Sequence, residues 1–147
     1  MNIDECGNLK LKTDFSVINN PVIYYAHHMR KYNTQEEKEE VDIIENIFNS
    51  GIIINQNGWI YQCGNENYIM NQCLQLVKNS DILIFSTIEN RIIGKGVYTE
   101  IECALKNNKR VYFLKDKLIE YTYSDFNKIE LIYNKTKSYR EYARVTT

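Results

Sequence analysis

Glu100 stands where a carboxylate can do chemistry. It closes the run Ile93-Gly94-Lys95-Gly96-Val97-Tyr98-Thr99-Glu100, between an apolar strand and an amphipathic helix. Glycines let backbone approach a ligand closely, and a helix amino terminus favours an anionic group. A carboxylate in the first turns of that helix is either a dipole partner or a reacting group. Beside the Ile101/Ala104 stripe it is expected to be partly desolvated, and it could then attack an anomeric carbon to form a glycosyl-enzyme intermediate. Gly94, Lys95 and Gly96 are expected to contact the ligand. Glu102 points elsewhere on the helix and reads as an ordinary dipole partner.

The second candidate is His27-His28-Met29-Arg30-Lys31, which contains the only two histidines of the chain. Two imidazoles, an arginine and a lysine beside a helix start suit a phosphate. The plainer alternative is a solvated basic loop after a strand. Adjacent histidines do not easily share one ion, and no nearby Cys or Asp completes a ligand set, so no metal is expected.

The elements that would position these residues alternate. Pro21 precedes a first strand, Val22-Ile23-Tyr24-Tyr25-Ala26. Thr34 and Glu37 have capping-box spacing, and Glu37, Val41, Ile44 and Phe48 mark one face of the helix that follows. Ile52-Ile53-Ile54 reads as a second strand, and a helix over 65–78 turns inward Ile69, Cys73, Leu76 and Val77. The third strand runs over 81–86. A helix with Val97, Ile101, Ala104 and Leu105 inside leads to a fourth strand over 111–114. Residues 118–123 read as irregular, 129–133 as a fifth, edge strand, and 138–144 as a short terminal helix. Parallel strands need crossover helices, so this order predicts a doubly wound α/β domain of flavodoxin or Rossmann type. Its sheet has five mostly parallel strands with helices on both faces.

In such sheets ligands bind outside the carboxyl ends of the strands. Those ends would gather Tyr25, His27 and His28 from the first strand, Asn55 and Trp59 from the second, and Ser86, Thr87 and the glycine turn from the third. Trp59 either stacks on a base or packs in the core. Asp81 starts its strand, at the opposite end of the sheet, and reads as a turn residue.

A chain of 147 residues makes one domain, with 1–20 as a weakly patterned amino-terminal extension. The net charge of −1 gives no electrostatic basis for nucleic-acid or membrane-surface binding. No apolar run nears the roughly 20 residues that span a bilayer, and the first residues lack a secretory pattern. Four scattered cysteines with no Cys-x-x-Cys pair read as reduced thiols, so the expected compartment is the cytoplasm.

From Val22 to Leu114 the chain resembles the nucleoside 2-deoxyribosyltransferase-like superfamily, which includes deoxynucleotide N-glycosidases. The resemblance lies in Ile23-Tyr24-Tyr25-Ala26, in Ser80-Asp81 before an apolar strand, and in Glu100-Ile101-Glu102-Cys103-Ala104-Leu105 followed by Lys109-Arg110-Val111. It implies cleavage or transfer at the N-glycosidic bond of a nucleotide or deoxynucleotide, with no metal or organic cofactor, in a homodimer or higher homo-oligomer. The family's catalytic glutamate falls on Glu100, and its sugar-binding tyrosine on Tyr24 or Tyr25. The chain departs from the family's pattern in three places. Cys73 stands where transferases carry an aspartate, Ile92 to Gly94 where they carry another, and His27-His28 where small residues are usual. The combined expectation has Glu100 as nucleophile and Tyr25 orienting the sugar. Tyr24, His27, His28, Arg30, Ser86, Gly94, Lys95 and Gly96 would bind substrate. The alternative is a protein that binds, senses or sequesters a nucleotide-derived molecule without turnover.

Overall fold

A computed structural model describes residues 20–57, 66–132 and 142–146. Its main sheet has five strands in the order β2-β1-β3-β5-β6: β1 Val22–Ala26, β2 Ile52–Ile54, β3 Ile82–Phe85, β5 Arg110–Lys115 and β6 Lys117–Glu120. β1, β2, β3 and β5 are parallel, with Tyr24 level with Ile54 and Leu83, and Ile84 level with Tyr112. β6 turns back antiparallel on β5, so the sheet is mixed. A smaller antiparallel sheet has the order β4-β8-β7, built from β4 Ile92–Ile93, β7 Glu130–Leu131 and β8 Ala143–Arg144.

Side chains alternate across each strand, and the core is divided accordingly. Ile23, Tyr25, Ile82, Ile84, Tyr112 and Leu114 meet Ile44 of helix α1 (Gln35–Ile47) together with Phe48. On the other face Tyr24, Ala26, Leu83, Phe85, Val111 and Phe113 meet α2 (Glu66–Lys78) and α3 (Lys95–Lys106). Helices therefore cover both faces, as the alternating pattern required. A fourth, short helix, α4, spans Tyr123–Phe126 under a Thr122/Asp125 capping box.

Three expectations from the sequence need correction. Residues 117–120 form the fifth strand of the main sheet, because a one-residue turn at Asp116, with φ of 65°, folds β6 back on β5. Glu130–Leu131, expected at the edge of that sheet, belongs to the small one. The terminal helix expected over 138–144 is a strand where it is described, since Ala143–Arg144 pairs with both β4 and β7. The amino-terminal extension and Trp59 lie outside the described residues.

The glycine turn is also placed differently. Rather than closing β3, it follows β4, after a 3-10 turn over Glu89–Arg91. Gly94 caps α3 in extended conformation, and Gly96 lies inside the helix. Neither needs the left-handed backbone that only glycine adopts readily. No helix among the described residues is long and apolar enough to cross a membrane.

Candidate functional site

Glu100 faces inward. It lies three residues after Val97 and four before Ala104, on the stripe that packs α3 against the sheet. Its side chain is only 2% exposed, in a setting otherwise apolar. Tyr24, from the middle of β1, donates its hydroxyl to Glu100 Oε2 at 2.7 Å. Gln56, from the loop after β2, donates Nε2 to the same oxygen at 3.2 Å. The other side of the Gln56 amide accepts from the Cys73 thiol of α2, with Sγ 3.2 Å from Oε1. Three separate segments therefore converge on one carboxyl.

The two carboxyl oxygens are not equivalent. Oε2 holds both hydrogen bonds, whereas Oε1 is buried without a partner, alone in this among side-chain nitrogens and oxygens of the described residues. Buried polar atoms are nearly always satisfied, because leaving one bare costs about 1–3 kcal/mol. Burial raises the Glu100 pKa from 4.5 to about 7, against the lowering effect of the Tyr24 and Gln56 hydrogen bonds and of the nearby Cys73 thiol. Burial and the adjacent carboxyl push the Tyr24 phenol far above its ordinary value, so it stays a neutral donor. Burial lifts the Cys73 thiol to about 11, which keeps it protonated. The cluster is thus one titratable carboxyl near neutrality, held by neutral donors.

The opposite face of β1 carries a second polar cluster. Tyr25 points there, one residue along a strand whose side chains alternate, and its hydroxyl donates to Glu40 of α1. Lys31, 2% exposed, donates Nζ to Glu40 Oε2 at 2.6 Å, to Ser86 Oγ at 3.0 Å and to the Thr87 carbonyl at 2.9 Å. Ser86 Oγ in turn donates to Glu40 Oε1 at 2.7 Å. His27 stacks on Tyr25 and places Nε2 2.7 Å from Glu37 Oε2. Burial lowers the His27 pKa despite that carboxylate. Burial favours a higher Glu37 pKa, but the His27 ring, the Asn33 amide and the Asn55 side chain together hold it below the ordinary value. Asn57 Nδ2 reaches Glu37 Oε1 at 2.9 Å.

These contacts sort the expected site residues. The structure brings Tyr24 to Glu100 and takes Tyr25, His27 and Ser86 to the other face. The expectation that Tyr25 and His27 share a hollow with Glu100 is therefore corrected by strand alternation. The basic loop is matched internally: His27 to Glu37, Lys31 to Glu40, and Arg30 to Glu89 at 2.7 Å. His28 Nδ1 accepts from the Arg30 amide and caps the 3-10 turn Met29–Lys31. These pairings leave the loop little positive charge to offer a phosphate. Gly94 is buried, Lys95 is exposed, and a side chain at Gly96 would touch Met70 at 3.6 Å. Asp81, read as a turn residue, ties two strands by accepting from the Val22 amide at 2.8 Å.

Sequence reasoning did not assign Gln56 or Glu40 to a site. Glu40 carried a signal, since it lies four residues before the core residue Ile44 and so shares its face. Gln56 carried none, because a glutamine in a polar loop is ordinary. Among the described residues no group of three or more His, Cys, Asp or Glu side chains could hold a metal ion. No protein-family model and no curated protein matches this chain.

Proposed function

We propose that the protein cleaves or transfers the N-glycosidic bond of a nucleotide or deoxynucleotide, with Glu100 as nucleophile. One observation carries the reading: a buried carboxyl whose Oε2 is fixed by Tyr24 and Gln56 while Oε1 stays unpartnered. A nucleophilic carboxylate needs one oxygen held and the other free to approach the anomeric carbon. Tyr24, rather than Tyr25, is the tyrosine at this carboxyl. Its phenol stabilises the carboxylate before attack and again when the glycosyl ester breaks. Gln56 shares that role, and Cys73 positions the Gln56 amide so that its NH₂ faces the carboxyl.

The doubly wound, Rossmann-like reading of the fold also supports a ligand here. Strand order reverses between β1 and β3, the kind of position where open α/β sheets bind small molecules. Glu100→Ala should lower base release from a cleavable nucleotide by at least about 10³-fold. Glu100→Gln should do the same while ligand binding persists. Unchanged release in both variants would remove Glu100 from the chemistry.

A second reading, binding without turnover, draws on the Glu100 pKa near 7. A neutral carboxyl can donate a hydrogen bond to a ligand instead of attacking it. Recovery of intact nucleotide after long incubation with stoichiometric protein would favour that reading; free base would exclude it.

A further inference from the structure

We infer that the Glu100 site takes a ligand carrying positive charge beside Oε1, and that its substrate is an N-glycoside whose base is already a cation of the N-alkylpyridinium kind. The inference rests on the nucleophile reading and narrows its substrate.

Oε2 receives the hydrogen bonds of Tyr24 and Gln56, so a neutral Glu100 must carry its proton on Oε1. That is the oxygen required to attack. The polar and titratable groups around the carboxyl are Tyr24 of β1 and Gln56 after β2, both at Oε2, Cys73 of α2, and Cys103 one turn along α3. Tyr24, Cys73 and Cys103 are all shifted toward their neutral forms by burial, and the Gln56 amide carries no charge. Among the described residues around Glu100, then, none supplies a positive charge to draw the proton from Oε1. None is an acid suited to protonating a departing neutral base either. Of the two imidazoles, His27 is bound to Glu37 on the other side of the sheet, and His28 caps the 3-10 turn Met29–Lys31.

A cationic ring answers both needs. Opposite charge within a few ångströms favours the ionised carboxylate, so binding expels the proton. Oε1 then bonds to the anomeric carbon, and the electron pair of the carbon–nitrogen bond goes to the ring nitrogen. The base departs neutral and needs no proton. Water next delivers hydroxide to the anomeric carbon, its proton goes to solvent, and Glu100 is left as carboxylate.

The test separates charge recognition from cleavage. N1-methylnicotinamide has the cationic ring and no glycosidic bond, and 3-methylbenzamide is its neutral isostere. Titration calorimetry of the wild-type protein should show the cation binding at least about tenfold more tightly near pH 8, with the preference shrinking toward pH 6. Near pH 7, buffers of different ionisation enthalpy should report about half a proton released per cation bound. Glu100→Gln should lose the preference and keep its affinity for the isostere. Equal affinities, no binding of either probe, or proton uptake would overturn the inference, and all three are read on wild-type protein. Nicotinamide riboside and uridine then report on the chemistry. Cation binding without cleavage of either would uphold charge recognition at the site and sink the nucleophile reading, and with it the substrate assignment. Cleavage of uridine at the same rate as nicotinamide riboside would do the reverse.

Discussion

Tyr24 and Tyr25 are neighbours in β1, both fully buried, and each hydroxyl donates to a glutamate on a different helix. On the α1 side Glu40 has three donors, Tyr25, Ser86 and Lys31, and its charge is matched. On the α3 side Glu100 faces no cation among the described residues, and one of its oxygens has no partner among them. The first arrangement spends polar groups on holding β1, β3 and α1 in register. The second keeps a buried carboxyl in a state that costs stability. Folding tolerates such a cost only where other contacts over-determine the position, as Val97, Ile101 and Ala104 do here.

Breaking the satisfied cluster should produce the largest stability effect. Lys31→Met strands the buried Glu40 carboxylate and should cost about 3–5 kcal/mol in urea unfolding. Adding Glu40→Gln should restore a good part of that loss, because no unpaired charge then remains. If the double variant is as unstable as the single one, Lys31 acts through packing and not through charge.

The tyrosine pair sharpens the comparison. Tyr24→Phe should slow base release about 10²-fold and move the low-pH limb of the rate profile upward, since a bond that favours the carboxylate is lost. Tyr25→Phe should leave the rate within about twofold and lower stability by about 1–2 kcal/mol. Equal effects on rate would mean that the two faces share one function.

A smaller effect should appear in acid. The folded-state pKa of His27 lies below 6.5 and that of Glu37 below 4.5. In both cases the unfolded chain binds the proton more readily, so their contributions are present at higher pH and are lost on acidification. Stability should begin to fall as pH drops below 6.5 and fall further below 4.5. His27→Gln should flatten the upper part of that decline. An unchanged slope would show that folding does not shift the His27 pKa.

Much of this architecture was legible in the sequence. The apolar runs of β1 and β3 and the helical stripes of α1, α2 and α3 are strong periodic signals, and all five elements stand where the pattern puts them. The antiparallel β6 was not legible, because Lys117-Leu118-Ile119-Glu120 is too short and mixed to declare a strand without its partner β5. Glu100 could be singled out because it interrupts an apolar stripe after glycines. Which tyrosine meets it depended on the phase of β1, and a run of five residues apolar on both faces hides its phase. The basic loop misled for a related reason. Its partners, Glu37, Glu40 and Glu89, are separated from it by 9 to 59 residues in sequence, and only the fold shows the charges meeting.

The account rests on Glu100 being a carboxyl that folding prefers to keep protonated. Its pKa rises from 4.5 to about 7 on folding, so the folded state binds the extra proton, and that stability is lost as pH climbs through 7. The shift corresponds to about 3 kcal/mol. Urea unfolding of wild type and Glu100→Gln across this range measures it directly. The two proteins should be nearly equal near pH 5, and the glutamine variant should gain steadily to an advantage of about 3 kcal/mol above about pH 8. Curves that stay parallel from acid to alkaline pH would mean that Glu100 is already a comfortable carboxylate, and the contrast between the two faces would fail.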